Sequence, residues 1–205
     1  MNKNFTAIFF DYGGVIEVSD YKLMDEILKT LGITKEEWSA VYLKYNHLTN
    51  LENKEWKEVG LLVAEKLGAD QSQLENIATL IDQANSSKVL NIELIDLIKK
   101  LKNLGLKTAI ISNYTSTLRN KIQNQGIYAL FDEIIISSEV GYQKPNSEIF
   151  EVAFGKLNVT AGQTVFIDDS SSSLSYANEI GYTPILYTNI DNLKFELSRI
   201  LNTDL

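Results

Sequence analysis

The feature of this sequence that most constrains its fold is the alternation of short apolar runs with segments of helical periodicity. Ala7–Phe10 is a continuous apolar run that ends at a polar residue and a pair of glycines, which is typical of a strand buried on both faces. Similar runs follow later in the chain, at residues 108–111, 133–136, 164–167 and 184–187. Strands that alternate with helices form a parallel sheet through right-handed crossovers. The sequence therefore predicts an α/β fold with a parallel sheet sandwiched by helices.

The region from about Tyr21 to Asn85, between the first two of these runs, differs from the rest of the chain. It contains no convincing strand, and its apolar residues recur at helical spacing in four groups, which begin at Leu23, Trp38, Trp56 and Leu74. This pattern indicates a helical insertion, or cap, placed after the first strand. We expect an α/β core formed by residues 1–16 and 89–205, and a helical cap formed by residues 17–88.

Composition excludes several classes of function. The 205 residues include no cysteine and one histidine, His47, which rules out disulfide scaffolds, zinc fingers, iron–sulfur clusters and thiol nucleophiles. The formal net charge is −8, and this argues against nucleic acid or a membrane surface as a partner. Arg119 and Arg199 are the two arginines. A phosphate ligand would therefore have to be held by lysine, hydroxyl groups, backbone amides or a metal.

The N-terminal apolar run is about five residues long, too short for a signal peptide or a membrane span. We therefore expect a cytoplasmic protein. We also expect a monomer or a weak homodimer.

Polar residues stand at the carboxyl ends of the predicted strands, where parallel sheets bind their ligands. Asp11 follows the first strand, Ser112 and Asn113 the second, Lys144 lies after the third, and Asp168 and Asp169 follow the fourth. Each alone is explained as a turn or cap residue. Together they favour a site, because clustered carboxylates repel one another unless a cation neutralises them. Oxygen ligands without histidine or cysteine favour Mg²⁺, and a lysine and a serine hydroxyl beside the metal suit a phosphate.

Four segments, in order, resemble the four motifs of the haloacid dehalogenase-like hydrolase superfamily: FFDYGGVI, IISNYTST, GYQKPNSEIF and VFIDDSSSS. The helical insertion resembles the cap of the branch that contains its phosphatases, phosphoglucomutases and dehalogenases. The resemblance covers essentially the whole chain. It implies a Rossmann-like α/β core and a hydrolase, most simply a phosphatase of a small phosphorylated metabolite.

The resemblance also implies roles for single residues. Asp11 would be the nucleophile that becomes an aspartyl phosphate. Ser112 and the backbone amide of Asn113 would hold the phosphoryl oxygens, with Gly14 as a further phosphate-binding residue. Lys144 would neutralise charge on the phosphate and on Asp11.

The implied metal is Mg²⁺. Asp11 and Asp169 would bind it directly, and Asp168 would act through water. The backbone carbonyl of Gly13 would complete the protein ligands.

Gly13 is also the one departure from the motifs. Phosphatases of the superfamily usually carry a second aspartate here, which protonates the leaving group, and such a group is worth about 10²–10⁴ in rate. The chain could act on good leaving groups, as in a sugar 1-phosphate, or take the proton from Glu17, Tyr12 or a cap residue. It could also be a weak or inactive binding or regulatory protein, or a 2-haloacid dehalogenase. A structural explanation for Gly13 is a backbone requirement, either a turn that needs positive φ or a close approach to the metal.

Overall fold

The computed structural model describes residues 4–19 and 22–205. The chain divides into two compact units. One runs to Val18 and resumes at Leu90–Leu205, and the other is Ser19–Val89. Within the described residues, no helix combines the length and the apolar character needed to cross a membrane.

Seven strands occur in the described residues. In chain order they are β1 (Ala7–Phe10), β2 (Glu17–Val18), β3 (Val89–Leu90), β4 (Lys107–Ser112), β5 (Glu133–Ile136), β6 (Thr164–Asp168) and β7 (Thr183–Leu186). Five of them form a parallel sheet in the order β5-β4-β1-β6-β7, and β2 pairs with β3. The predicted parallel α/β fold is confirmed.

The helices lie between these strands. In chain order they are α1 (Leu23–Leu31), α2 (Lys35–Asn50), α3 (Trp56–Lys66), α4 (Gln71–Ser86), α5 (Ile92–Asn103), α6 (Thr117–Asn124), α7 (Ser137–Val140), α8 (Ser147–Leu157), α9 (Ala177–Ile180) and α10 (Ile190–Leu201). Short 3-10 turns occur at Tyr128–Leu130 and Ala161–Gln163.

The central strand β1 is buried on both faces, as its unbroken apolar run predicts. Ile8 and Phe10 enter one hydrophobic cluster, and Ala7 and Phe9 enter another, because successive side chains of a strand point to opposite faces. The register pairs Phe10 with Ile110 of β4 and with Ile167 of β6. The carboxyl ends of the three central strands therefore lie within two residues of one another, and the residues at these ends share one edge.

The unit Ser19–Val89 has a hydrophobic core of its own. Ile27, Trp38, Val63 and Ile77, one from each of the helices α1–α4, belong to a single buried cluster. Two of the four helices begin with capping boxes, Thr34 with Glu37 and Asp70 with Gln73. Both boxes satisfy amide groups at the start of a helix.

The stretch after β6 is less helical than its sequence predicts. The pattern favours a helix around Ser172–Ile180, but helix α9 begins only at Ala177. The serines before it form turns instead: the hydroxyls of Ser170 and Ser172 lie 2.7 Å apart, and the Ser175 hydroxyl donates to the Ser172 carbonyl. Serine competes with a helix by bonding to nearby groups in this way.

Candidate active site

The structure brings the predicted residues together at the carboxyl edge of the sheet. Asp11 directly follows β1, and its amide donates to the Ile167 carbonyl of β6 over 2.8 Å. Asp168 is the last residue of β6, and Ser112 is the last residue of β4. Lys144 comes from the irregular segment between α7 and α8. Four separate parts of the chain thus supply the site.

Lys144 connects two of the carboxylates. Its Nζ lies 2.9 Å from Asp11 Oδ1 and 2.6 Å from Asp168 Oδ2. The side chains of Lys144 and Asp168 are buried, while Asp11 keeps 13% of its side-chain surface exposed. Burial alone would lower the pKa of Lys144, but the charges of Asp11 and Asp168 outweigh it and raise the pKa. Lys144 is therefore a fixed cation beside the most accessible of the carboxylates it contacts.

Asp169 adds a third carboxylate. One oxygen from each of Asp11, Asp168 and Asp169 lies within 4.8 Å of the others. Partial burial and the charges of Asp11 and Asp168 raise the pKa of Asp169 to about 6. We refer to these three residues and Lys144 as the acidic cluster. With three carboxylates and one lysine it has a surplus of negative charge, and its oxygen donors fit a divalent cation such as Mg²⁺.

Backbone amides orient two of these carboxylates. The amide of Tyr12 donates to Asp11 Oδ1 over 2.7 Å, and the amide of Ser170 donates to Asp168 Oδ1 over 2.8 Å. Such bonds fix a carboxylate without neutralising its charge. Asp11 is thereby held by the turn that follows it.

The two glycines after Asp11 differ in their surroundings. Gly14 has φ of +78°, and a Cβ placed there would overlap the carboxylate of Asp169. Its amide donates to the Glu17 carbonyl over 2.8 Å, so this N–H is hydrogen-bonded within the turn, and the role of Gly14 in binding phosphate stays a prediction. Gly13 has no positive φ, and a Cβ there would meet no atom within 4 Å. The turn explanation offered for Gly13 therefore applies to Gly14 instead.

Ser112 and Asn113 also lie at this edge. Ser112 is buried at the end of β4. The side chain of Asn113 turns toward Lys144: its Oδ1 accepts from the Lys144 amide over 2.8 Å, and its Nδ2 donates to the Lys144 carbonyl over 3.1 Å. The sequence gives no signal of this contact, because it joins residues 31 positions apart.

The two candidate proton donors near Gly13, Glu17 and Tyr12, form hydrogen bonds with each other and with residues of helix α6 and its C-terminal end. Glu17 is buried, and its oxygens accept from Lys121 Nζ at 2.6 Å, from Gln125 Nε2 at 3.0 Å and from the Tyr12 hydroxyl at 3.0 Å. Tyr12 is fully buried, and burial and the charge of Glu17 raise its pKa. We refer to Tyr12, Glu17, Lys121 and Gln125 as the closed cluster. These contacts argue against Glu17 and Tyr12 as the group that protonates a leaving group.

Neither arginine contributes to the acidic cluster. Arg119 pairs with Glu139 at 2.6 Å and donates to the Ile134 carbonyl, and Arg199 pairs with Glu196 at 2.7 Å. Any anion at the site would therefore meet Lys144 rather than a guanidinium group.

A cavity of about 650 Å³ lies in the same unit but away from this chemistry. Its lining includes Glu148, Glu151, Phe154, Tyr176 and Glu179 and none of the predicted site residues.

Comparison with known proteins relates the chain to a family of hydrolases. The sequence profile of the haloacid dehalogenase-like hydrolases matches residues 5–181. Among curated proteins, bifunctional epoxide hydrolase 2 of Rattus norvegicus is 27% identical over 141 residues, which are 66% of this chain and 26% of that protein. The chain thus spans about a quarter of the length of this relative. D-ribitol-5-phosphate phosphatase of Bacteroides thetaiotaomicron is 24% identical over 96% of this chain and 98% of its own.

A solved structure shows the same fold. It is a HAD family enzyme of Bacteroides thetaiotaomicron, determined as an aspartate-to-alanine mutant in complex with magnesium and inorganic phosphate. The TM-score is 0.60 with 22% sequence identity, over 92% of this chain and 98% of that one.

Proposed function

The chain belongs to the haloacid dehalogenase-like hydrolases, and on this premise we propose that it is an Mg²⁺-dependent phosphohydrolase of small phosphorylated metabolites. The observation that carries the proposal is the acidic cluster, in which three carboxylates lie together and a buried lysine pairs with two of them. A phosphate dianion would not bind to such a surplus of negative charge. It would bind if a divalent cation occupied the carboxylates.

The residues present suit that cation. Asp11 and Asp169 would bind Mg²⁺ directly, Asp168 through water, and the Gly13 carbonyl would add a backbone oxygen. When bound, Mg²⁺ supplies positive charge that offsets the surplus and draws electron density from a phosphoryl oxygen. The magnesium and phosphate complex of the structural relative supports this assignment.

Asp11 is the proposed nucleophile. Its carboxylate oxygen forms a bond to phosphorus while the bond from phosphorus to the leaving oxygen breaks, which gives an aspartyl phosphate. Water then attacks this phosphorus, the bond to Asp11 breaks, and inorganic phosphate leaves. Lys144, Ser112 and the Asn113 amide would hold the phosphoryl oxygens in both steps.

The missing acid at Gly13 points to substrates that need little protonation. Acyl phosphates and anomeric sugar phosphates have good leaving groups, and the engagement of Glu17 and Tyr12 in the closed cluster supports this choice. The phosphatase relative is named for D-ribitol 5-phosphate, which supports a small phosphorylated sugar or polyol as the substrate class. The phosphate in that name is a primary alkyl ester, so the relative does not support the preference for a good leaving group. We propose the helical unit Ser19–Val89 as the cap. A cytoplasmic location stays a prediction from the sequence.

A panel of phosphorylated metabolites and an aryl phosphate, assayed with Mg²⁺, tests the proposal. We expect phosphate release that EDTA abolishes and added Mg²⁺ restores. Activity that persists in the chelator, together with halide release from a 2-haloacid, would support the dehalogenase alternative. An inert wild-type protein across the whole panel would support a binding or regulatory protein.

A further inference from the structure

Lys144 belongs to neither a helix nor a strand. It lies in the irregular segment 141–146, between helices α7 and α8. A backbone turn within this segment is closed by the amide of Asn146, which donates to the Gln143 carbonyl over 3.0 Å. Yet the ammonium group of Lys144 must meet two carboxylates at 2.6 and 2.9 Å. Something outside the segment must therefore fix the backbone of Lys144.

The side chain of Asn113 meets this need. It accepts from the Lys144 N–H and donates to the Lys144 C=O, at 2.8 and 3.1 Å. A carboxamide carries a donor and an acceptor in one plane, as a peptide group does. Asn113 thus pairs with the backbone of Lys144 as the peptide group of a neighbouring strand would. Because Asn113 directly follows β4, these two hydrogen bonds fix the 141–146 segment to the end of that strand, although the segment is not part of the sheet.

We propose that the Asn113 side chain is a positioning residue that acts through Lys144 and does not itself contact the substrate. The inference rests on the proposed function of the acidic cluster. It assigns different tasks to two parts of one residue. The backbone amide of Asn113 would face the phosphoryl group, and the carboxamide holds the lysine that neutralises Asp11.

The expected consequence is a change in kcat rather than in KM. Without the carboxamide, the 141–146 segment shifts and the ammonium group of Lys144 leaves its position between Asp11 and Asp168. A small misplacement of a catalytic group is costly, on the order of 10²-fold for about 1 Å. Substrate binding should change little, because Asn113→Ala keeps the backbone amide.

A double-mutant cycle tests this with Mg²⁺ and an aryl phosphate. Asn113→Ala should lower kcat by about 10–100-fold in the wild-type background but by less than about threefold in Lys144→Ala, because the partner is then absent. Asn146→Ala is the matched control: it removes an exposed carboxamide of the same segment that makes no capping bond, and it should leave kcat unchanged. Equal losses from Asn113→Ala in both backgrounds would overturn the proposal.

Hydrogen exchange provides a readout that does not depend on activity. The Lys144 amide is protected by Asn113 Oδ1, so Asn113→Ala should speed exchange in peptides that cover 141–146, while Asn146→Ala should not speed exchange at Lys144. If the wild type is inert, this result still decides the role of Asn113, and the proposed function fails separately. If Asn113→Ala does not fold, Asn113→Asp replaces it: the acceptor remains and the donor is lost, so partial protection is expected. Unchanged exchange at Lys144 would contradict the proposal.

Discussion

Two carboxylate–lysine clusters, each with a buried acid, lie at opposite ends of the short segment from Asp11 to Glu17, and they differ in charge balance. In the acidic cluster, three carboxylates lie together, and Lys144 pairs with two of them, Asp11 and Asp168. In the closed cluster, the single carboxylate of Glu17 faces Lys121, and neutral donors from Tyr12 and Gln125 complete its bonds.

The difference shows which feature of a buried charge indicates a site. Both clusters contain a buried acid and a lysine, and burial of a charge pair by itself has a structural explanation. In the closed cluster, the negative charge of Glu17 is balanced by the positive charge of Lys121. In the acidic cluster, the carboxylates outnumber the lysine, and the charges balance only when a cation binds. Unbalanced charge, rather than burial, distinguishes the cluster that we propose as catalytic from the closed cluster.

Gly13 lies between the clusters, and adding a carboxylate there gives the largest expected effect. If neither cluster donates a proton, the wild type should hydrolyse aryl and acyl phosphates well and primary alkyl phosphates poorly, with a gap of about 10²–10⁴ in kcat. Gly13→Asp should narrow this gap, since the added side chain has open space. Rates measured over a series of leaving-group pKa values check this. Equal wild-type rates across the series would show that some group does supply the proton.

A substitution at the neighbouring Gly14 should displace one carboxylate of the acidic cluster. Gly14→Ala forces a Cβ against Asp169 and strains a backbone at φ of +78°, so we expect a loss of about 10–100-fold in kcat/KM as the carboxylate moves. Gly13→Ala is the matched control and should stay close to the wild type in kcat/KM and in the Mg²⁺ concentration for half-maximal rate. Similar losses in both variants would mean that Asp169 needs no fixed position.

Mg²⁺ should stabilise the acidic cluster in a pH-dependent way. The pKa of Asp169 is raised from its usual 3.8 to about 6, so the folded metal-free protein binds this proton more tightly than the unfolded chain does. Its contribution to stability is present below about pH 4 and is lost as the pH rises through about 6. We expect Mg²⁺ to raise Tm by a few degrees at pH 7.5 and by less at pH 5. A Tm increase that is larger at pH 5 would contradict this account.

Opening the closed cluster should affect stability and hardly affect chemistry. Glu17→Gln removes the charged partner of Lys121 and should lower the free energy of unfolding by about 1–3 kcal/mol, while kcat changes less than about threefold. Glu139→Gln, which breaks the more exposed pair with Arg119, should lower it by about 0–1 kcal/mol. Urea unfolding and kcat on one substrate give both values. A large fall in kcat for Glu17→Gln would indicate that Glu17 protonates the leaving group.

Much of the fold follows from local pattern. The unbroken apolar run of Ala7–Phe10 predicts a central buried strand, and the strand ends place Asp11 and Asp168 at one edge. The pattern over residues 92–104 predicts a helix that the structure places at Ile92–Asn103. These features depend on periodicity, which a single sequence displays.

The remainder depends on contacts between distant residues. Glu17 meets Lys121 across 104 positions, and Asn113 meets Lys144 across 31 positions. No local propensity encodes either pair, because the fold must first bring the elements together. The sequence also shows two adjacent glycines without showing which of them has a positive φ. In the structure it is Gly14 and not Gly13.

The formation of a covalent intermediate on Asp11 tests the central claim most directly. The wild type, mixed with Mg²⁺ and an acyl or aryl phosphate and quenched with acid within one turnover, should carry one phosphoryl group on the peptide that contains Asp11. Asp11→Asn should carry none and should lose at least about 10³-fold in kcat. Turnover that continues in Asp11→Asn, or a phosphoryl group found on another residue, would contradict the claim that this aspartate is the nucleophile.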